Sequence, residues 1–293
     1  MKLGVIGGTG LYGMDERRDA RKVWVDTPFG PPSDEFVSGA IDGVEVFFLP
    51  RHGVGHRLLP SEINHRANVW ALKRLGVSRV ISISAVGSLR EEFRPRDLVL
   101  PDQYFDRTKR GAEHTFFGGG IVAHIPFAEP VCPDLRAKLA RVAADAAAAV
   151  KSEAQVHPRG TYVNMEGPAF STRAESEFHR RCGFDIVGMT SLAEAKLCRE
   201  AEMCYATVAM VTDYDCWRED ESVTLDGIMG HLRANAELAR QIVRRAVKPL
   251  AGRRACACGR ALMNAIVTAP EHVPSERRRA LAPIIGKYLS RGT

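Results

Sequence analysis

The chain has 293 residues, 45% of them hydrophobic and 26% charged, which suits one large globular α/β domain or two smaller ones. No apolar run approaches the ~18 residues that a membrane-spanning helix needs, so no membrane partner is expected. The net charge of +6 raises nucleic-acid binding, but the densest basic runs, Arg253-Arg254 and Arg277-Arg278-Arg279, lack interleaved aromatic residues and read as solvated helix faces.

From Leu3 a strand feeds the glycine turn Gly7-Gly8-Thr9-Gly10. The start lacks the long apolar core of a secretory signal, so a cytoplasmic protein is expected. Glycines let backbone amides approach an anion closely, and Thr9 adds a hydroxyl. Phe36 to Ile41 and Val44 to Pro50 read as two strands around an Asp42-Gly43 turn. The second strand ends at Arg51-His52-Gly53, where an arginine fork matches phosphate oxygens. A helix is expected from Pro60 to Leu75, with Gly76 as its stop.

Arg79 to Ser84 reads as a strand ending in a small-residue turn from Ser84 and Ala85 to Arg90, a third strand end able to bind an anion. Pro95 to Pro101 reads as a strand and Asp106 to Ala123 as a long loop, a length often reserved for function; His124 follows. Pro133 to Val150 is an alanine-rich helix. Gly160 to Glu175 reads as a strand, a tight turn and a helix start, in which Phe170 is either core or a surface for a flat ligand. Asp185 to Thr190 is a strand ending in Met189-Thr190, and Leu192 to Ala201 is helical.

The run Val208 to Trp217 is apolar and β-branched until it stops at Asp213 and Asp215. Residues two apart on an extended segment point the same way, and open α/β sheets hold ligands beyond the carboxyl ends of their strands. The two acids are either solvated loop residues or a pair facing one ligand. Leu225 to Leu250 is an amphipathic helix by the spacing of Ile228, Leu232, Leu238, Ile242 and Val243. The fold expected is α/β, a single domain over residues 1–250 with a mixed central β-sheet flanked by helices. Residues 251–293 form a tail with a short helix from Pro274 to Leu289, packed on the same domain or on a neighbouring subunit.

Seven cysteines in mostly apolar contexts read as reduced core residues. Cys256-Ala257-Cys258 is a close pair, but metal binding would want further ligands and none stands near it in sequence. No metal is expected.

Hydroxyls, a guanidinium and backbone amides at Thr9, Arg51, His52, Ser84, Ala85 and Thr190 suit phosphate. The carboxyls of Asp213 and Asp215 suit N–H donors or a leaving group that needs a proton. Phe170 and Met189 offer apolar surface to a flat ring. Together these point to phosphorolysis of a glycosidic bond. The glycine turn also raises a nicotinamide-dependent oxidoreductase, against which no acid stands about 20 residues on to hold a ribose.

The segments Gly4 to Gly10, Arg51-His52-Gly53, Ala85 to Arg90, Glu166 to Glu175, Met189-Thr190 and Thr212 to Trp217 resemble, in order, those of the trimeric purine nucleoside phosphorylase family. The resemblance implies a nucleoside phosphorylase-like fold, a homotrimer and no cofactor, inorganic phosphate being a co-substrate. It places phosphate on Thr9, Arg51, His52, Ser84, Ala85 and Thr190, ribose along Met189, and the purine against Phe170 with Tyr214 nearby. Asp213 would serve N7 and Asp215 the exocyclic amine, with His124 reaching a neighbouring subunit's ligand. Relatives preferring 6-oxopurines carry Asn and Glu where this chain has Asp213 and Ser171, so a 6-aminopurine is expected. Leu225 would help to line the 5′ pocket. The implied activity is phosphorolysis of S-methyl-5′-thioadenosine to adenine and 5-methylthioribose 1-phosphate; a same-family enzyme acting on methylthioinosine or ordinary purine nucleosides is the alternative.

Overall fold

The computed structural model describes residues 1–8, 18–218 and 224–289. Its centre is a mixed sheet in which β1 (Lys2–Gly7) lies between β4 (Val44–Pro50) and β5 (Val77–Ser88), parallel to both. On the outer side of β4 run β3 (Phe36–Ile41) and β2 (Arg18–Val23), both antiparallel to their neighbours. The turn between β3 and β4 has Asp42 and Gly43 at φ 49° and 76°, the left-handed pair that a two-residue hairpin loop requires.

β5 is the pivot of the sheet. Its first half pairs with β1, while most of its length pairs in parallel with β11 (Cys204–Asp213). Its last residues, Gly87 and Ser88, pair antiparallel with β10 (Ile186–Gly188), which continues to β9 (Thr161–Asn164) and β7 (Gln103–Asp106). β6 (Leu98–Val99) and the short β8 (Val156–His157) extend the β11 side. Pairing with β1 stops at Ser82, so beyond that point β1 and β4 part from β5 and β10, opening a cleft at the carboxyl ends of the parallel strands. Ser84 to Ser88 were expected to form a turn. They are strand instead, because β11 and β10 supply the hydrogen bonds that β1 no longer gives.

Alternating side chains bury both faces of the sheet. On one face Leu3, Val5, Ile81, Ile83, Val208 and Met210 pack against α2 (Pro133–Ala149) and α5 (Leu225–Leu250). On the other, Ile6, Val80 and Tyr205 meet α1 (His65–Arg74) and α4 (Ser191–Glu200). Each fully buried Leu, Ile or Val contributes about 1.5–3 kcal/mol, so this three-layer arrangement follows from the strand alternation and the helical apolar stripes. The expected helix at Pro60 begins as a 3-10 turn over Pro60–Glu62; α1 proper starts at an N-cap, where Asn64 Oδ1 accepts from Ala67 N at 3.1 Å. Gly76, at φ 84°, ends it as expected. The strand expected over Pro95 to Pro101 shrinks to β6, since Arg96 takes φ 79° and Asp97 Oδ2 accepts from Arg94 N in a turn.

The tail packs on its own chain. Its expected helix is two, α6 (Ser275–Ala280) and α7 (Ala282–Leu289). They divide because Pro283 belongs in a first turn and cannot continue a helix. Ile284 and Ile285 enter the α1 face, and Trp70 Nε1 donates to Ala280 O at 2.9 Å. The Cys256-Ala257-Cys258 pair is not isolated: the fold brings Cys132 and Cys204 to it, with all four sulfurs within 4.8 Å of one another.

Candidate active site

The cleft where β1 leaves β5 holds a cavity of about 330 Å³. Its polar end is lined by Gly8, Arg51, His52 and Thr190, which follow the ends of β1, β4 and β10, and by Ser84 and Ala85 within β5. Thr9, which follows Gly8, lies outside the described residues. Thr190 is the N-cap position of α4, yet its hydroxyl caps nothing in the helix, leaving it beside a helix N-terminus whose partial positive charge favours an anion.

Arg51 does not present the expected open fork. It is buried, and Nε and Nη2 clasp the Glu194 carboxylate at 2.6 and 3.2 Å. Nη2 also reaches Ser82 Oγ at 2.6 Å, and Nη1 donates to Ile83 O at 2.9 Å. A guanidinium has five N–H groups, so these four bonds leave one for a ligand. Burial alone would ease its proton off, but the Glu194 charge outweighs that and holds the pKa above its usual value. Ser82 Oγ and Tyr205 OH complete the Glu194 shell at 2.8 and 2.9 Å.

His52 is held neutral. Burial and the adjoining Arg51 charge bring its pKa down to about 4. Its Nδ1 lies 2.9 Å from Leu58 O, an acceptor only, so Nδ1 carries the proton and Nε2 is the acceptor. His56 stacks on it at 4.2 Å between centroids, nearly parallel, and also lines the cavity.

The carboxyl pair sits where β11 ends, and both acids line the cavity. Asp213 Oδ1 accepts from Asp215 N at 2.8 Å, and Oδ2 lies 2.7 Å from Thr212 Oγ1, which is itself 3.2 Å from Val86 O. Burial raises the Asp213 pKa; the two hydrogen bonds offset this in part, and the Asp215 charge adds to it. Burial likewise raises Asp215, offset in part by the Ser176 and Ser171 hydroxyls, and its Oδ2 has no hydrogen-bond partner among the described residues. Asp215 adopts φ 53°, the turn that brings its carboxyl back beside that of Asp213. Room for the pair comes from Gly87, paired with Asp213 across the strands: a Cβ there would stand 2.9 Å from Asp213 Oδ1.

The remaining wall is apolar. Phe170, half-exposed, and Met189 line it as expected, joined by Met165 and Val187. Ile228, Met229 and Leu232 of α5 close one side. These helix positions were legible as an apolar stripe but not as cavity wall; the Leu225 side chain lies outside what is described. Glu194 and Ser82 were also missed, since a lone acid within a helix and a serine within a strand carry no sequence signal of their partners.

Three expected residues lie off the cavity. Tyr214 is buried with its hydroxyl donating to Glu91 O at 3.2 Å and its ring against Trp217, because alternation turns it away from Asp213 and Asp215. Ser171 stands 3.9 Å from Met165 Sδ, and its carbonyl accepts from Cys216. His124 is exposed on the far loop, tied by its backbone to Ala265 O at 2.8 Å.

A sheet cleft with an anion-binding helix end, a protonatable carboxyl pair and an apolar wall defines an enzyme that transfers a group between an anion and a flat, nitrogen-bearing leaving group. The phosphorylase superfamily model matches residues 2–248, and the chain belongs to that family. It is 53% identical to an S-methyl-5′-thioadenosine phosphorylase of Geobacter sulfurreducens over 98% of this chain and 99% of that one. Among solved structures it is similar to a methylthioadenosine phosphorylase from an antarctic soil metagenomic library, with TM-score 0.89, 45% identity and coverage of 96% and 98% of the two chains. It is also similar to a mutant adenosine/methylthioadenosine phosphorylase of Schistosoma mansoni in complex with methylthioadenosine, with TM-score 0.81, 38% identity and coverage of 90% and 96%.

Proposed function

We propose that this chain catalyses the phosphorolysis of S-methyl-5′-thioadenosine, giving adenine and 5-methylthioribose 1-phosphate, in purine and methionine salvage. The observation that carries the reading is the pair of buried Asp215 and half-buried Asp213 in one cavity with the α4 N-terminus and Thr190. Phosphate binds at the polar end, against Thr190, Ser84, the amides at Gly8 and Ala85, the Thr9 hydroxyl and the one free Arg51 N–H. Neutral His52 accepts a hydrogen bond from a protonated phosphate oxygen through Nε2. The purine lies against Phe170 and the ribose along Met189, with the 5′-methylthio group at the apolar α5 wall.

Phosphate attacks the anomeric carbon as the bond to N9 breaks and its electron pair passes into the purine. Asp213, whose pKa burial raises, gives its proton to N7, so adenine leaves neutral. The sugar carries oxocarbenium character between the two, as in other glycosidic cleavages. Asp215 accepts from the exocyclic amine through Oδ2, the atom left without a partner. A carboxylate at that edge repels O6 of a 6-oxopurine, which favours adenine. No metal or organic cofactor takes part. The enzyme is proposed to be a cytoplasmic homotrimer, with exposed His124 reaching a neighbour's ligand.

The test is incubation with S-methyl-5′-thioadenosine with and without phosphate, identifying both products. Base release without phosphate would make the enzyme a hydrolase, and faster release of hypoxanthine than adenine from matched nucleosides would favour the 6-oxopurine alternative. Light scattering checks the trimer, and a single-chain mass would remove the role of His124.

A further inference from the structure

Cys132, Cys204, Cys256 and Cys258 come from three separate parts of the chain and meet in the core beneath α2 and α5. Cys132 is the N-cap of α2, its sulfur accepting from Leu135 N at 3.5 Å. Cys204 is the first residue of β11. Cys256 and Cys258 form a Cys-x-Cys bite at the start of the tail. All four sulfurs lie within 4.8 Å of one another, and Cys204 Sγ is 3.3 Å from Cys256 Sγ. Four ligands at a Zn–S distance of about 2.3 Å place tetrahedral sulfurs roughly 3.8 Å apart. Two disulfides would instead sort the sulfurs into bonded pairs at about 2.0 Å. The mutual spacing here is that of one set of four.

A second observation concerns charge. Arg79 is the register partner of Cys204 across β5 and β11, so both side chains take the same face of the sheet. Arg79 is 1% exposed; its Nη1 donates to Met1 Sδ, while Nε and Nη2 have no hydrogen-bond partner among the described residues. A buried guanidinium with so few partners is costly. A tetrathiolate metal centre is dianionic and would offset it, and the partial positive charge of the helix N-terminus at Cys132 would in turn favour the thiolates. Four neutral thiols or two disulfides would bring no negative charge to that face.

We infer that Cys132, Cys204, Cys256 and Cys258 form a structural tetrathiolate site for a thiophilic tetrahedral divalent cation, Zn2+, that staples the tail to α2 and β11. Binding replaces four S–H bonds by four metal–sulfur bonds and releases four protons to solvent, with no change of oxidation state. The site stands at the opposite end of β11 from Asp213, about 30 Å away at the usual strand rise. It therefore acts on stability and leaves the chemistry alone, and it holds whether or not the proposed reaction is the right one.

The experiment uses the full chain, purified under reducing conditions and loaded with Zn2+ or Co2+. One equivalent of zinc per chain is expected. Cobalt should give the intense visible bands and sulfur-to-metal charge transfer of a tetrahedral tetrathiolate. The double variant Cys256→Ser, Cys258→Ser should lose those bands and retain metal at least tenfold more weakly, while Cys182→Ser, at an exposed cysteine, keeps both. Should the double variant fail to fold, titrating the zinc-loaded native chain with a mercurial thiol reagent remains: four sulfurs consumed per zinc released support the site. Chelation should lower Tm and leave turnover well below Tm unchanged. No retained metal, cobalt bands that survive the double variant, or a fully reduced preparation that closes two disulfides in the presence of zinc each overturn the inference.

Discussion

Glu194, buried behind the cavity, and Asp213, half-buried in its wall, both carry carboxyl groups, yet their surroundings give them opposite chemistry. Glu194 receives four donors, two from Arg51 and one each from Ser82 and Tyr205. Asp213 has one backbone amide and one hydroxyl, and beside it Asp215 keeps an oxygen without a partner. A carboxyl with few donors and a like-charged neighbour keeps its proton to higher pH, as burial and Asp215 do for Asp213, whereas the Glu194 oxygens are taken up by a guanidinium and two hydroxyls. Glu194 is thus scaffold: it fixes Arg51 and spends most of that cation's hydrogen bonds. Asp213 is poised, and the proton it holds is the one the proposed reaction consumes.

The sharpest way to break this contrast is to remove the scaffold partner. Glu194→Ala strands Arg51 in the core and is expected to cost about 3–5 kcal/mol of stability, read from the denaturant midpoint. A loss below about 1 kcal/mol would mean that the pair carries no structural weight. Next comes the poised acid. Asp213→Asn keeps the shape but gives up the acidic proton, and turnover on S-methyl-5′-thioadenosine should fall about a hundredfold or more with little change in the melting temperature. Unchanged turnover removes Asp213 from the acid role.

These two groups differ in how far the sequence reveals them. Asp213 and Asp215 stand out because an apolar run ends at them, and the strand-end rule points such residues at a ligand. Glu194 is one acid in the first turn of a helix, and its partner Arg51 lies 143 residues away, a pairing that no local pattern encodes. The same holds for the cysteines: Cys256 and Cys258 are visible as a pair, while Cys132 and Cys204 join them only through tertiary packing. Most of the strands and all but the shortest helices were legible from periodicity and caps, whereas the edge strand β2 and the short β7 and β8 were not. The extension of β5 to Ser88 was not, since it depends on β10 and β11 replacing β1 as hydrogen-bonding partners. Tyr214 was misplaced by counting it with its neighbours, when strand alternation sends it to the other side.

Gly87 tests how closely the poised pair is fitted. An added Cβ would lie 2.9 Å from Asp213 Oδ1 and 3.2 Å from Val187 Cγ1, both too close. Gly87→Ala should therefore cost about 1–3 kcal/mol and lower turnover by displacing the carboxyl. Gly252→Ala, where a Cβ meets nothing within 4 Å, is the matching control. Equal effects at the two glycines would show that the carboxyl moves aside freely.

The most gradual effect expected is in the pH dependence of stability near Arg51. His52 has a folded pKa of about 4 against an ordinary value of 6.5, through burial and the Arg51 charge. Between those values the unfolded chain binds a proton at this site that the folded chain does not, so stability falls as pH falls through the window. The slope from one proton is at most about 1.4 kcal/mol per pH unit. His65, whose pKa burial also lowers, contributes in the same direction, so the quantity to measure is the difference between the native chain and His52→Gln. The variant should have the shallower decline in unfolding free energy from pH 6.5 to 4. Asp213 works the other way: its raised pKa means the folded state holds the extra proton, and its contribution is lost as pH rises through that value. Parallel curves for the native chain and His52→Gln would mean that His52 titrates normally, and the neutral imidazole proposed to face phosphate would then be charged in mild acid.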